Sequence, residues 1–213
     1  MTAMVTDPIS WWAQEMPHER AIVVGDAAVS YGELDGWVSR VAAGYAERGV
    51  GVGDRVGVIG PNSLQWCVAA LAVIRAGAIL VPLNMRLVVD ELDDLVAGST
   101  PVLVVAEDGP LTTTMEAVAA RGRTFDLVGL SFVDQFRRPG PDSAFRRDVD
   151  PDQPAVIVYT SGTTAKPKGV IFSHTTTFNF IFEWSLVEPG FCRGMRLLMV
   201  LPIHGAPGTL WGL

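Results

Sequence analysis

An α/β fold on a largely parallel sheet is predicted by three features of this sequence. Short, continuously apolar runs rich in Val, Ile and Leu recur at 55–59, 78–83, 101–107 and 155–159, as expected of strands buried on both faces. Segments with apolar residues at helical spacing separate the first three runs, and glycine, proline or a capping residue marks the junctions. Residues 55–83 therefore read as strand, helix, strand, a crossover that joins parallel neighbours.

The elements follow in order. Between Pro8 and Pro17, the residues Ile9, Trp11, Trp12 and Met16 form an apolar face that predicts a short helix. AIVVG (21–25) and AAVSY (27–31) flank Gly25-Asp26, a hairpin signature. Ser30 and Glu33 have capping-box spacing and open a helix through Leu34, Trp37, Val38, Val41 and Tyr45, stopped at Arg48-Gly49. The glycines at 49, 51 and 53 do not satisfy G-x-G-x-x-G. They also precede the 55–59 strand, whereas a dinucleotide-binding turn follows its strand. Asn62 and Gln65 are spaced as a cap and its partner for a helix over 63–76, ended by Gly77. A helix from Asp90 to Gly98, a strand at 101–107, a helix capped by Thr113 and Glu116 and a strand at 125–130 complete a first α/β subdomain, residues 1–136. Residues 137–154, dense in proline and charge, read as a connector. A second subdomain is expected over 155–213, with the strand AVIVYT, a polar loop, the strand GVIFSH, a helix near 174–187 and a strand at 197–202.

Bulk properties narrow the function. The chain has 213 residues, 49% of them hydrophobic and 18% charged, as in an ordered globular protein. The net charge of −7 leaves no basic footprint for nucleic acid or an anionic membrane, so a polyanion would have to be a small ligand in a focused site. Cys67 and Cys192 are far apart in apolar surroundings and are expected to be reduced thiols. No basic and then apolar leader opens the chain. The apolar stretch 66–83 is broken by Arg75, Gly77 and Pro82, which argues against a membrane span. A soluble, cytoplasmic protein is the expectation.

The polar dozen YTSGTTAKPKGV (159–170) carries the chemistry. It follows a buried strand and offers the hydroxyls of Thr160, Ser161, Thr163 and Thr164, the permissive backbone of Gly162, and the cations Lys166 and Lys168. Backbone N–H groups, hydroxyls and lysines with no carboxylate among them suit a polyphosphate. A polar hairpin loop without a ligand has a similar composition. A Walker loop is set aside, because Gly169 is followed by Val170 rather than Lys and a strand, not a helix, comes next.

T-S-G-T-T-x-x-P-K-G-V followed by x-x-S-H resembles the phosphate loop of the adenylate-forming superfamily, and SYGELD, GVGVGDRVGVIGPNSLQW and AGAILVPLNMRL resemble its N-terminal segments in the same order. The wording is most similar to fatty-acyl and aryl-CoA ligases. The resemblance implies the stacked α/β subdomains of that superfamily's large N-terminal domain, incomplete in this chain. It implies an enzyme that joins a carboxylic acid to ATP as an acyl-adenylate, with magnesium, and passes the acyl group to coenzyme A. Thr160, Ser161, Gly162, Thr163, Thr164, Lys168 and Gly169 are then the ATP-phosphate contacts, with Thr160 also a magnesium ligand. Lys166 falls on a variable position, and Ala165 stands where the family pattern has glycine. LPIHGAPG (201–208) is similar to a segment beside the acyl pocket. Aligning Pro202 and Gly208 puts His204 on its aromatic position and Gly205 on its histidine position, so His204 is a pocket candidate weighed against a loop histidine. His174 is expected to be structural and His18 to lie on the surface. No certain catalytic residue is present. The family's adenine, ribose and magnesium-glutamate segments and its mobile C-terminal domain have no counterpart before Leu213, so an inactive N-terminal fragment is expected, able to self-associate through its C-terminal face. The alternatives are an adenylation domain that loads a carrier protein and a non-catalytic binding module.

Overall fold

The computed structural model describes residues 4–137, 145–160, 167–187, 194–205 and 208–209. Along the chain run α1 (Asp7–Glu15), β1 (Arg20–Val24), β2 (Ala27–Ser30), α2 (Tyr31–Glu47), β3 (Arg55–Ile59), α3 (Leu64–Arg75), β4 (Ile79–Leu83) and α4 (Val89–Ser99). They are followed by β5 (Leu103–Ala106), α5 (Pro110–Ala119), β6 (Asp126–Gly129), α6 (Ser131–Asp134), β7 (Pro154–Thr160), β8 (Lys168–Ser173) and α7 (His174–Val187). The first hairpin pairs β1 with β2 antiparallel and turns at Gly25, whose φ of 59° suits a residue without a β-carbon. The six remaining strands form one sheet in the order β6-β5-β3-β4-β7-β8, parallel throughout except for the β7–β8 pair.

Alternation along the strands builds two cores. Val56, Val58, Leu80, Val156 and Val158 face one side, where α2 and α3 cover them with Trp37, Val41, Val68 and Leu71. Ile59, Val81, Leu83 and Val104 face the other, under Leu92, Leu95 and Val96 of α4 and Met115 and Val118 of α5. The result is a helix–sheet–helix sandwich. Each fully buried aliphatic side chain in it contributes roughly 1.5–3 kcal/mol.

Local signals act as the sequence predicts at α2, where Ser30 Oγ accepts from Glu33 N–H and the Glu33 carboxylate accepts from Ser30 N–H. Elsewhere the outcome differs. Ser63, not Asn62, caps α3 by accepting from Trp66 N–H at 3.1 Å, while Gln65 reaches Asp134. The extended Ser63 hydroxyl is one residue closer to the free N–H groups, which leaves Asn62 for another task. α5 opens at Pro110 rather than Thr113, because a first-turn proline forfeits only an N–H that has no partner there. The expected strand at 197–202 is absent: no described strand pairs with it, and Leu198 and Val200 are 83% and 76% exposed. Apolar content alone does not make a strand without a neighbour for its backbone groups. The 137–154 connector does not coincide with a break in the sheet, since β7 on its far side pairs with β4.

The 66–83 stretch is α3 followed by β4, and among the described residues no helix is long and apolar enough to cross a membrane. Arg75 ends α3 with only 3% of its side chain exposed. Its guanidinium pairs with the Asp35 carboxylate at 2.8 Å and donates to Ser39 Oγ and Ser10 Oγ, which ties α1, α2 and α3 together. Cys67 is a buried free thiol with its pKa pushed up to about 12 by burial, and Cys192 lies outside the described residues.

Two outcomes follow for stability. Arg75→Met should cost about 1–2 kcal/mol in urea unfolding, because the part-exposed Asp35 carboxylate is left with only its bond from Ser10 Oγ and the two serine hydroxyls lose their donor. A loss below about 0.5 kcal/mol would show that packing alone holds the three helices. The second outcome concerns His174, whose Nδ1 accepts from Val5 N–H at 3.4 Å and whose pKa burial holds below 6.5. The unfolded chain binds the proton more readily, so stability is present above pH 6.5 and declines as the pH falls below it. His174→Asn should flatten the pH 7.5–5.5 part of a thermal-melting profile, and an unchanged profile would rule this origin out.

Candidate functional site

The carboxyl ends of β3, β4, β5 and β7 lie along one edge of the sheet, because these strands are parallel. In such sheets ligands bind at that edge, where the chain switches direction. Here the switch falls between β3 and β5, since the chain leaves β3 to one side for β4 and leaves β5 to the other for β6. The loops that leave this edge hold the candidate residues.

β7 carries the polar hairpin to the edge. Its residues Ala155, Val156 and Val158 are buried, and Tyr159 leans onto α4. A β-carbon on Gly98 would come within 2.8 Å of the Tyr159 hydroxyl, so glycine there makes room for the ring. Burial raises the pKa of Tyr159, opposed by its hydrogen bond with Ser99. The phenol is therefore a neutral anchor for the strand end. β8 returns antiparallel with Tyr159 opposite Gly169 and Thr160 opposite Lys168. A β-carbon on Gly169 would lie 2.9 Å from Ile157 Cγ2, which explains a glycine at that point of the ladder. Thr160 and Lys168 are exposed, and among the described residues Lys168 has no carboxylate partner. Of the expected phosphate contacts, Thr160, Lys168 and Gly169 are thus placed on two paired strands. Ser161, Gly162, Thr163 and Thr164, with Ala165 and Lys166, lie outside the described residues.

The loop after β4 brings a further cation. Asn84 folds it by accepting from Arg86 N–H at 2.9 Å, and the Arg86 side chain has no hydrogen-bond or ion-pair partner among the described residues. His204 stands within electrostatic reach of it. Burial first, and then the Arg86 charge, hold the half-buried imidazole below its usual pKa, so it is neutral at pH 7. His18 is exposed and His174 buried, both as expected from the sequence. Asn62, in the loop after β3, donates to Leu201 C=O and accepts from Ile203 N–H. Sequence reasoning missed Arg86 and misread Asn62. The available signal was their position, directly beyond the carboxyl ends of two buried strands.

The hairpin that pairs Thr160 with Lys168 thus stands at the carboxyl edge of a parallel-rich α/β sheet. The chain belongs to the family of AMP-binding enzymes, whose pattern it matches over residues 9–213. Among curated relatives it is 33% identical over 201 residues to a feruloyl-CoA synthase of an Amycolatopsis species, covering 91% of this chain and 38% of that protein. It is 32% identical over 207 residues to the PKS-NRPS hybrid synthetase acdB of Aspergillus candidus, covering 95% of this chain and 8% of that protein. Among solved structures it resembles the inhibitor-bound N-terminal domain of FACL13 from Mycobacterium tuberculosis, with TM-score 0.86, 26% identity, and coverage of 98% of this chain and 53% of that one. It also resembles ATP-bound MatB from Rhodopseudomonas palustris, with TM-score 0.81, 28% identity, and coverage of 96% and 42%. The chain therefore spans well under half the length of these curated relatives.

Proposed function

We propose that this chain is the ATP-phosphate-holding part of an AMP-forming acid–thiol ligase, which activates a carboxylic acid as an acyl-adenylate and transfers it to coenzyme A. The register that sets Thr160 against Lys168 at the carboxyl edge, within an AMP-binding family chain, carries this reading. In it the carboxylate attacks the α-phosphate and pyrophosphate departs. In this reading Lys168 neutralises the leaving group, and Ser161, Gly162, Thr163, Thr164 and Gly169 supply the remaining contacts to the β- and γ-phosphates. Magnesium is compatible with this donor set. Thr160 offers one hard oxygen, no cluster of three His, Cys, Asp or Glu exists among the described residues, and such an ion is held mainly by phosphates and water. Bound there, it would offset phosphate charge. The neutral His204 suits the wall of a pocket for the acid's apolar part.

The relatives support a ligase acting on small molecules, and the feruloyl-CoA synthase among them favours coenzyme A as acceptor. The hybrid synthetase acdB keeps a second reading in view, in which the acyl group passes to a carrier protein. A cytoplasmic location accords with either reading. Self-association of the isolated chain through its C-terminal part is supported by exposed apolar residues there, Phe182, Leu186 and Val187 on α7 and Leu198 and Val200 after it.

Lys168→Ala should weaken MgATP binding by about tenfold in titration calorimetry, the loss of one charge-assisted contact. Unchanged affinity would remove Lys168 from the phosphate site. The 213-residue chain alone is expected to show no carboxylate-dependent ATP–pyrophosphate exchange, and observed exchange would overturn its assignment as a part-enzyme. Light scattering should report dimers or larger species that Leu186→Lys shifts towards monomer. A monodisperse monomer at all concentrations would favour the non-catalytic module.

A further inference from the structure

We propose that Asn62 is the positioning residue for the His204 loop: its carboxamide locks the backbone of residues 201–203 onto the end of β3 and so fixes where His204 stands. The geometry is two-pointed. Asn62 Nδ2 donates to Leu201 C=O at 2.9 Å, and Asn62 Oδ1 accepts from Ile203 N–H at 3.0 Å. A single side chain thereby does for these residues what a neighbouring strand would do for a ladder. It acts across 139 positions of sequence, where local preference has no influence.

The order it imposes is confined to the stretch it touches. Leu198 and Val200, just upstream, are largely exposed, whereas Ile203 is 6% exposed and joins the core that contains Leu64 and Trp66. Downstream, Gly205 N–H donates to Pro202 C=O at 3.2 Å, Thr209 N–H to Gly205 C=O at 2.8 Å, and the Thr209 hydroxyl to Ile203 C=O. His204 thus sits in a closed turn with its upstream side held by Asn62. Only a carboxamide presents a donor and an acceptor together at one end. Aspartate would keep the bond to Ile203 N–H but turn a lone pair towards Leu201 C=O, and glutamine would overreach by one methylene. Ser63 caps α3 in place of Asn62, which frees the carboxamide for this role. That the held loop lines an acid pocket rests on the proposed function, whereas the clamp does not.

The test reads the loop rather than catalysis, so it separates the clamp from the ligase reading. The imidazoles of His18, His174 and His204 are followed by NMR titration of the 213-residue chain and assigned by single His→Asn substitutions. Asn62→Ala should return the His204 midpoint upwards towards 6.5, because the released ring regains water and leaves Arg86, while His174 keeps its own midpoint. In hydrogen exchange the Ile203 amide should exchange about tenfold faster in Asn62→Ala, with Asn62→Asp between it and the parent. An unchanged His204 midpoint in a folded Asn62→Ala chain overturns the proposal. Should that variant not fold, the parent decides the matter: an Ile203 amide no better protected than that of Val200 overturns the clamp, and clear protection supports it. Loss of MgATP binding with the clamp intact would count against the proposed function alone.

Discussion

The pairing of β7 with β4, at Leu80 opposite Val156, is the contact on which the candidate site depends. The polar hairpin follows β7 and belongs in space wherever that strand ends. Because β7 runs parallel to β4, its end falls on the same edge as the loops after β3 and β4. Had it paired antiparallel, Thr160 and Lys168 would lie at the opposite edge from Asn62 and Arg86. The parallel arrangement requires both faces of the sheet to be covered. Here the cover is α2 and α3 on one side and α4 and α5 on the other.

Electrostatics at this edge run against the character of the whole chain. A net charge of −7 repels polyanions, yet Lys168 and Arg86 stand at the edge without carboxylate partners among the described residues. Other arginines are consumed by structure: Arg75 with Asp35 inside the helical layer, and Arg123 with Asp93 and Arg48 with Asp126 nearer the surface. Among the described residues, Lys168 and Arg86 are two cations not used in this way, and both stand at this edge. Half-buried Tyr159 and His204, both held neutral, keep further charge out of the same region.

Short-range chemistry was the readable part. The capping box at Ser30 and Glu33, the hairpin at Gly25, the apolar strands and the crossover at 55–83 rest on residues within a few positions of one another, and all appear as expected. The strands before and after the polar loop were readable for the same reason, and so was the exclusion of a Walker loop, whereas the register that sets Thr160 opposite Lys168 came from the structure. Failures came where two nearby residues compete for one task or where a partner is distant. Ser63 displaced Asn62 as a cap because its hydroxyl sits better under the first free N–H groups. The 197–202 run had strand composition and found no strand to pair with.

Family membership and the α/β class were therefore written locally, in motifs whose spacing is set by a single turn or strand. Which loops share an edge was not. Asn62 and Ile203 are separated by 141 positions, and Arg86 and His204 lie almost as far apart. Nothing in either neighbourhood encodes the meeting. It exists because strand order places the ends of β3, β4 and β7 side by side, and strand order is decided by burial over the whole sheet rather than by any segment's own preference.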